Sequence, residues 1–558
     1  MNETINVNSL VLYSAGGLVL LSGLRRVKNR VELSLAKHRS LAGHPRNARR
    51  LASFLPSYRY DVAQALGIDG APENIVLSRK IAFDNLLAKY QTLYPLSLQE
   101  TANVVNAISD LQFTSAYRIP FQFSDLAKQG LKIGSFVQST SGVTMTDLDG
   151  NQFYDLTGSY GVNLFGNDFY KNCIDQGANM VRQLGPVLGS YHPVVADNVN
   201  RLKSISGMDE VSFHMSGTEA VMQAVRLARY HSGRNKIVRF CGSYHGWWGD
   251  VQPGIGNPVT EKDTFTLSEM SAATLRVLRN RVDIACVLVN PLQALHPNVP
   301  APSDSSLLDS SRKAAFSKDA YITWLQELRQ VCDSKGIALI FDEVFVGFRL
   351  APGGAQEYFG VHADMVTYGK TLGGGLPVGV LCGKASWMKR FRDDAPGDIC
   401  FARGTFNSHP YVMGAMNVFL RSLETPEIQK YYIDLDETWD TRARTLNKQL
   451  TEANIPVQVA NLSSIWTVVY TQPACYNWLF QHYLRIEGIA LSWVGTGRII
   501  FSLNYTQSDF DRVSHSFIRA AENMQRDGWW WGNSLLTNKS IKRRILRELL
   551  IAKIKPTS

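Results

Sequence analysis

Short apolar runs and amphipathic stretches alternate along the central half of the chain, and their order predicts an α/β fold. Residues 284–289, 337–341 and 365–368 are mainly apolar, as in strands that are buried on both faces of a parallel sheet. Residues 220–228 instead repeat apolar positions at helical spacing. Near residue 143, two strand-like runs flank an Asp-Gly turn, which predicts a hairpin.

Charged side chains stand directly after two of the predicted strands. Asp342 and Glu343 follow one apolar run, and Lys370 follows another. Ligands of open α/β sheets bind beyond the carboxyl ends of the strands, so an acid and an amine placed there are expected to meet on one small molecule. This pairing suits pyridoxal phosphate, which needs a lysine for a Schiff base and a carboxylate for its ring nitrogen. The alternative is a surface lysine on a glycine loop beside an acidic helix cap.

A second group of polar residues precedes the predicted helix at 220–228. Ser216, Gly217 and Thr218 offer two hydroxyls, a glycine that permits close approach, and the exposed amides of a helix start. These features suit the phosphate of a cofactor. An ordinary helix cap followed by Glu219 is the alternative.

The residues around these strand ends resemble a known family. The stretch 341–377, FDEVFVGFRLAPGGAQEYFGVHADMVTYGKTLGGGLP, resembles the cofactor signature of the class III (ω-type) aminotransferases, and it is similar to glutamate-1-semialdehyde aminomutase and its relatives. The resemblance implies the pyridoxal-phosphate-dependent transferase fold of type I. It also implies that Lys370 carries the cofactor and moves the proton, that Asp342 partners the ring nitrogen, and that Val344 packs on the ring.

The resemblance extends to further site residues. It implies phosphate binding by Ser216, Gly217 and Thr218, and stacking of Tyr244 on the ring, with His245 completing the same turn. Three more positions follow from it. Ser159 and Tyr160 are expected at the substrate pocket, and Thr405 is expected to reach the phosphate of the neighbouring subunit's cofactor, which requires a homodimer. No metal site is expected.

Three departures from the family pattern leave the substrate open. Residues 166–170 read GNDFY where relatives read GHNHP, and Asn290 stands where relatives carry Glu, with Gln293 as a substitute hydrogen-bonding group. Residues 491–498, LSWVGTGR, lack the glutamate expected of the aminomutase. An amino acid, an amino aldehyde, a lipid-like compound and a carrier-bound compound all stay open as substrates.

Composition sets the broad class. The chain has 558 residues, of which 45% are hydrophobic and 19% charged, enough for a large core and more than one lobe. Its net charge of +10 is concentrated towards the two ends, without a basic stripe interleaved with aromatics, and this argues against nucleic acid as a partner. Seven scattered cysteines without a Cys-x-x-Cys pair indicate a reducing compartment and argue against zinc.

Both ends of the chain carry features of membrane-binding segments. Residues 4–24 are uncharged and are followed by basic residues, the reverse of a signal peptide, and a buried helix is the alternative. Residues 529–531 are three tryptophans, expected at the depth of lipid headgroups, and a basic amphipathic helix follows, for which docking on a partner subunit is the alternative. Arg46, Arg49 and Arg50 are expected to bind phosphate or acidic lipid, or to form a solvated helix face. We therefore expect a cytoplasmic protein associated with the inner face of the membrane.

The predicted organisation has six parts. Residues 1–30 are a membrane-associated segment and 31–125 a helical extension. The rest comprises 126–200 (N-terminal part of the small α+β lobe), 201–405 (large cofactor domain with a mostly parallel sheet), 406–525 (C-terminal small lobe) and 526–558 (basic amphipathic tail). The predicted function is transfer of an amino group between an amine donor and a carbonyl acceptor. An intramolecular aminomutase, a decarboxylase or racemase, and a non-catalytic membrane-associated scaffold are the alternatives.

Overall fold

The fold is described by a computed structural model. It covers the chain except residues 1–22, 25, 39–40, 118, 253, 258–261, 293–309, 311–315, 493–497 and 555–558. Most of the predicted N-terminal apolar run (4–24), Gln293 and most of the 491–498 stretch therefore lie outside the described residues.

Helices and strands alternate through the central part of the chain, as predicted. The helices are α1 (26–36), α2 (Pro45–Phe54), α3 (Val62–Gly67), α4 (Glu73–Leu93), α5 (Pro95–Val104), α6 (Ser109–Tyr117), α7 (Ser124–Ala127), α8 (Asn167–Met180), α9 (Val194–Ser206), α10 (Gly217–Ser232), α11 (Ala272–Asn280), α12 (Lys318–Lys335), α13 (Gly354–Phe359), α14 (Ala385–Met388), α15 (Pro410–Ser422), α16 (Pro426–Gln429), α17 (Leu435–Glu452), α18 (Phe480–Ile486), α19 (Gln507–Arg526) and α20 (Asn538–Ile554). The strands are β1 (Val137–Ser141), β2 (Thr144–Asp147), β3 (Gln152–Asp155), β4 (Glu210–His214), β5 (Lys236–Phe240), β6 (Thr264–Leu267), β7 (Ile284–Val289), β8 (Ala338–Asp342), β9 (Met365–Gly369), β10 (Gly379–Gly383), β11 (Val457–Leu462), β12 (Ile465–Tyr470), β13 (Ile489–Ala490) and β14 (Ile499–Ile500).

The large lobe is built on a seven-stranded sheet with the order β4-β10-β9-β8-β7-β5-β6. The five strands from β9 to β6 are parallel, and β10 runs antiparallel to both of its neighbours. Consequently β4, β5, β7, β8 and β9 all end at one edge of the sheet. The strands β7, β8 and β9 are buried along their whole length, which explains their nearly continuous apolar sequences.

Two smaller sheets belong to the second lobe. One has the order β1-β2-β3-β13 and joins the predicted hairpin, β2–β3, to a strand from near the C-terminus. The other, β11-β12-β14, is antiparallel. The parallel pairing of β13 with β3 shows why the small lobe needs sequence from both sides of the large lobe.

The helical N-terminal region packs onto the C-terminal half of the chain. Arg79 of α4 forms a fully buried ion pair with Asp69 at 2.6 Å and also donates to the carbonyl of Gly528. Tyr90, further along α4, is hydrogen-bonded to His482 at 2.9 Å. Hydrophobic residues of this region belong to the same buried cluster as the core of the lobes. The region is therefore part of the body of the protein.

The C-terminal segment differs from its prediction in one respect. Trp529 and Trp530 are 0% and 5% exposed, so their predicted position among lipid headgroups is wrong. Their indole nitrogens donate to Tyr483 and Asn477, at 2.7 and 3.0 Å. These partners make burial of the indoles favourable, and the two rings fill the core.

The helix α20 packs against the N-terminal region of the same chain. Its Ile541 is buried, and its Glu548 accepts hydrogen bonds from Tyr58 and Tyr60 at 2.9 and 2.6 Å. A second row of aliphatic side chains on α20 stays exposed. No helix in the described part of the chain combines the length and apolar character needed to cross a membrane.

Candidate active site

The predicted acid and amine line one cavity of about 530 Å³ beyond the carboxyl edge of the large sheet. Asp342 ends β8, and Lys370 follows the last residue of β9, the next strand in the sheet. Adjacent strands lie about 4.8 Å apart, so these two strand ends deliver their side chains to one small space. The same cavity is lined by the other predicted cofactor-binding residues, Ser216, Gly217, Thr218, Tyr244, His245 and Val344.

Asp342 is buried and held by three donors. Its carboxylate accepts from His245 Nδ1 at 2.8 Å, and from the Thr367 hydroxyl and the Val344 amide, both at 3.2 Å. Burial, as the largest effect, lowers the pKa of His245 and favours the neutral ring. Nδ1 then donates to Asp342, and Nε2 is left as a buried acceptor without a hydrogen-bond partner among the described residues. This arrangement fixes the carboxylate in one orientation.

The adjacent acid, Glu343, has a different role. Strand alternation turns it away from the cavity, and its carboxyl group accepts from the amides of Ala355 and Gln356 at 2.6 and 3.2 Å, at the start of α13. Burial raises the pKa of Glu343 to about 8. Of the two consecutive acids, Asp342 serves the cavity and Glu343 anchors a helix.

Lys370 is held in a state unusual for lysine. Burial, as the largest effect, and the nearby positive charges of Arg498 and Arg349 lower the pKa of its amine to about 7, against the raising effect of Asp342. Its backbone has a φ of 49°, in the left-handed region that costs a non-glycine residue about 1–3 kcal/mol. A neutral amine at a strained backbone position is typical of a nucleophilic lysine.

The loop before α10 forms the other end of the cavity. Ser216 is the N-cap of α10, and its hydroxyl accepts from the Glu219 amide at 3.3 Å. A Cβ on Gly217 would lie 2.6 Å from Val344, so only glycine lets the loop pack this closely. Gly246, with a φ of 91°, similarly lies against Thr218. The helix start, two hydroxyls and this close packing form a cradle that suits an anion such as a phosphate group.

Tyr244 and Asn290 form part of the wall between the cradle and Asp342. Tyr244 lines the cavity while remaining 60% exposed, so its ring has an uncovered face. Asn290, at the end of β7, donates to the Tyr244 carbonyl at 3.2 Å. At the position where relatives of the resembled family carry Glu, Asn290 therefore holds the Tyr244 loop.

Three predicted residues do not line the cavity. Ser159 and Tyr160 lie on an exposed turn with left-handed backbone, at φ values of 44° and 57°. The next glycine, Gly161, contacts Phe345 and the stem of Lys370, so the turn lies at the rim. Thr405 lies on the exposed surface. The structure therefore brings the predicted acid, amine, aromatic and phosphate-binding residues together and leaves these three outside.

The sequence prediction missed Arg498. Arg498 lines the cavity, and its guanidinium lies 5.5 Å from the centre of the Phe345 ring, while the Lys370 amine lies 4.5 Å from the same ring centre. A signal was available, because Arg498 directly precedes the short apolar run of β14. No group of His, Cys, Asp and Glu side chains in the described part of the chain is arranged to hold a metal ion.

Sequence comparison identifies a matching family and curated relatives. The sequence profile of the family described as Aminotransferase class-III matches residues 126–250 and 318–520. The chain is 31% identical over 425 residues to a glutamate-1-semialdehyde 2,1-aminomutase from Geotalea daltonii, an alignment that covers 70% of this chain and 91% of that protein. It is 30% identical over 416 residues to the protein of the same name from Alkaliphilus oremlandii, covering 70% of this chain and 92% of that one.

Solved structures of transaminases and an aminomutase share the fold of this chain. A transaminase with bound PLP is 25% identical, with a TM-score of 0.60 and coverage of 77% of this chain and 99% of that chain. A glutamate-1-semialdehyde aminomutase from Pseudomonas aeruginosa is similar with a TM-score of 0.63, covering 80% of this chain and 99% of that chain. Its sequence identity of 19% supports a common fold alone.

Proposed function

Since the chain belongs to the class-III aminotransferase family and is a pyridoxal-phosphate-dependent transaminase, we propose that it moves an amino group from an amine donor to a separate carbonyl acceptor at Lys370. The observation that carries this proposal is the shared cavity of Lys370, Asp342 and the 216–218 cradle. In it, an amine with a lowered pKa and an oriented carboxylate share one cavity with the start of a helix that can bind an anion.

The residues of the cavity fit pyridoxal phosphate. Its phosphate would be held by Ser216, Gly217 and Thr218, where two close glycine contacts leave a recess at a helix start. Tyr244 and Val344 would hold its ring, and the buried carboxylate of Asp342 would partner the ring nitrogen. His245 holds that carboxylate in place.

When bound, pyridoxal phosphate supplies an aldehyde for covalent attachment and a ring that accepts electron density. Lys370 acts first as a nucleophile, for which its amine must be neutral, and its pKa of about 7 favours that form near neutral pH. With its amine neutral and inside the cavity, Lys370 would also take a proton from the substrate carbon and return it. Asp342 would hold the ring nitrogen in its protonated form.

We also propose that the substrate carries an anionic group. Within the described residues, the cavity wall has two basic side chains, Lys370 and Arg498, and one carboxylate, that of Asp342. Asp342 would bind the cofactor's ring nitrogen, and Lys370 would act as the nucleophile and proton carrier. Arg498 is then the side chain that would bind a substrate carboxylate. Amino acids and keto acids are thus favoured over neutral amines.

Two further proposals concern assembly and location. A homodimer would let Thr405 complete the partner's site, and it is supported by the exposure of the neighbouring aromatics Phe401 and Phe406, at 69% and 49%.

Binding to the inner face of a membrane is supported by exposed aliphatic residues on α1 and α20, which lie beside many lysines and arginines. We further propose residues 201–405 as the cofactor domain, with the small lobe at 126–200 and 406–525.

Absorbance spectroscopy tests the proposed reaction. The purified holoenzyme is expected to absorb in the visible range, to lose this band when an amino acid donor alone is added, and to regain it when a keto acid is added. A change that needs one substrate only, with no response to a separate acceptor, would instead favour the aminomutase alternative. In Lys370→Ala the visible band of the attached cofactor is expected to be absent, and its persistence would refute the role of Lys370.

A further inference from the structure

A second polar cavity lies far from the strand ends that form the active site, beside β6 at the border of the large sheet. It has a volume of about 300 Å³ and is lined by Lys37, Arg46, Arg49 and two threonines, Thr264 and Thr266, together with the turn that precedes α2. No acidic side chain is found among the described residues that line it.

The cavity exists because the chain before α2 is tied to the end of β6. The backbone of Lys37 forms a bridge with Leu267, and the amide of Ser268 donates to the Ala36 carbonyl at 2.8 Å. The chain then turns tightly at Gly43, where a Cβ would collide with the backbone of His38. These contacts place the N-terminus of α2 over the threonine-bearing face of β6.

The helix α2 contributes more than its two arginines. It is ten residues long, has Pro45 in its first turn and lacks a side-chain cap, because His44 makes no capping hydrogen bond. The first amides of a helix have no partner within the helix and carry the positive end of its dipole. An anion in the cavity would meet these amides together with the three cationic side chains.

Thr266 gives independent evidence for a ligand. It is 5% exposed, and its hydroxyl has no hydrogen-bond partner within the described part of the chain. Thr264, on the same face of β6, donates to the Asp250 carbonyl at 2.8 Å and is satisfied. Leaving a buried hydroxyl unpaired is unfavourable, so the Thr266 hydroxyl favours a polar ligand in this cavity.

We infer that this cavity binds a phosphate group through Lys37, Arg46, Arg49, the first amides of α2 and the hydroxyl of Thr266. Guanidinium groups bind phosphate oxygens with paired hydrogen bonds, and a threonine hydroxyl supplies a donor to a further oxygen. The phosphate belongs either to a phospholipid headgroup or to a free phosphorylated compound. This site is distinct from the cofactor cradle, which lies at the end of β4 at the opposite border of the sheet.

Calorimetric titration of the holoenzyme with inorganic phosphate tests the inference. Bound cofactor fills the other phosphate site, and its visible absorbance reports whether it stays there. We expect saturable binding by the wild type and a loss of about tenfold or more in Lys37→Gln/Arg46→Gln, as each charge-assisted hydrogen bond contributes about a factor of ten. Arg50→Gln is the matched control, because Arg50 is exposed on the same helix and does not line the cavity.

The variant Thr266→Val separates a ligand contact from a structural role. It keeps the shape of the side chain and removes the unpaired hydroxyl, so phosphate affinity is expected to fall several-fold while the melting temperature without phosphate is unchanged or raised. Phosphate binding that is absent in the wild type, or equally weakened by Arg50→Gln, would overturn the inference.

Vesicle flotation identifies the source of the phosphate group. Vesicles of phosphatidylcholine with phosphatidic acid are compared with vesicles of phosphatidylcholine alone, using the same variants. If Lys37→Gln/Arg46→Gln lowers the phosphatidic acid dependence of flotation, the ligand is a lipid headgroup. If flotation is unchanged while phosphate titration is lost, the ligand is a free phosphorylated compound. Loss of neither signal would contradict the proposed site.

Discussion

At the scale of single residues, the proposed chemistry depends on how a lysine is kept neutral next to a carboxylate. Asp342 alone would raise the pKa of Lys370, yet burial and two arginines outweigh it and lower that pKa to about 7. The carboxylate is in turn engaged by His245, Thr367 and a backbone amide. Burial and the two arginines therefore set the pKa of Lys370, while the three hydrogen-bond donors fix the orientation of Asp342.

Replacing Arg498 tests this balance. In Arg498→Gln a positive charge near Lys370 is lost, so the pKa of the amine is expected to rise and the neutral fraction at pH 7 to fall by about twofold or more. Since neutral Lys370 is the proposed nucleophile, the rate at which apoenzyme captures pyridoxal phosphate should rise with pH through a midpoint near 7 in the wild type and through a higher midpoint in the variant. Stopped-flow absorbance at several pH values measures both midpoints.

The control and a second readout separate this effect from general damage. Arg444→Gln removes a charge from the exposed face of α17 and should leave the midpoint unchanged. If Arg498 also binds the substrate carboxylate, KM for an amino acid donor should rise in Arg498→Gln by about tenfold or more. Equal midpoints in wild type and Arg498→Gln would contradict the electrostatic role.

Most residues of the cavity were predictable, because a short local pattern marks the strand or helix end at which each of them lies. Lys370 and Asp342 follow strands whose apolar runs are plain, and Ser216 precedes an evident helix. Arg498 was not predictable in the same way. It reaches the cavity only because β14, from the C-terminal lobe, folds back beside the turn that contains Gly158 and Gly161, and such long-range packing leaves no periodic signal.

At the scale of elements, buried parallel strands were predicted well and the attachment of the helical N-terminal region was not. Short, nearly continuous apolar runs are typical of strands that are covered on both faces of a sheet. Arg79 and Asp69, in contrast, look like surface charges in the sequence, and only their pairing permits burial at 0% and 1% side-chain exposure. The burial of the tryptophans at 529–530 was not predictable for the same reason. An indole is buried at low cost only when its nitrogen has a hydrogen-bond partner, and here the partners come from distant parts of the chain.

The buried ion pair predicts how strongly α4 is held. Asp69→Asn leaves the guanidinium of Arg79 buried without a counter-charge and is expected to destabilise the protein by about 3–5 kcal/mol. Urea unfolding of the holoenzyme measures the change. Asp84→Asn, which breaks an exposed pair with Lys80 on the same helix, should cost about 0.5 kcal/mol or less. Similar losses for the two variants would show that α4 is not anchored through Arg79.

At the scale of the whole molecule, the position of Thr405 outside its own cavity is explained if two chains share their sites. Mixed refolding or subunit exchange tests this. Lys370→Ala lacks the nucleophile, and Thr405→Glu should repel the phosphate of the partner's cofactor. A hybrid dimer has one site with both residues intact, so random mixing should restore about one quarter of wild-type activity.

A matched mixture provides the control for subunit sharing. Lys370→Ala with Asp342→Ala places both defects in residues that each chain supplies to its own site, so no hybrid site is intact and no activity should return. Absence of recovery in the Lys370→Ala and Thr405→Glu mixture, with dimers shown to exchange, would exclude the proposed role of Thr405.

The two faces of α20 lead to the last prediction. Ile541 and Glu548 attach the helix to the body of the protein, whereas Leu546, Leu550 and Ile554 recur every fourth residue and are 56%, 56% and 79% exposed. An exposed aliphatic row on a basic helix is suited to the interface of an anionic membrane. Leu550→Ser/Ile554→Ser is therefore expected to weaken binding to vesicles of phosphatidylserine and phosphatidylcholine by about tenfold or more, because buried leucine and isoleucine side chains each contribute about 1.5–3 kcal/mol.

A matched pair on another helix shows whether this row is specific. Leu77 and Ile81 are also four residues apart, are 58% and 54% exposed, and lie on α4. Leu77→Ser/Ile81→Ser removes the same amount of apolar surface and should leave vesicle flotation unchanged if α20 is the contact. Equal losses from the two pairs, or wild-type protein that does not float with these vesicles, would remove α20 from the membrane contact and leave its exposed row to a protein partner.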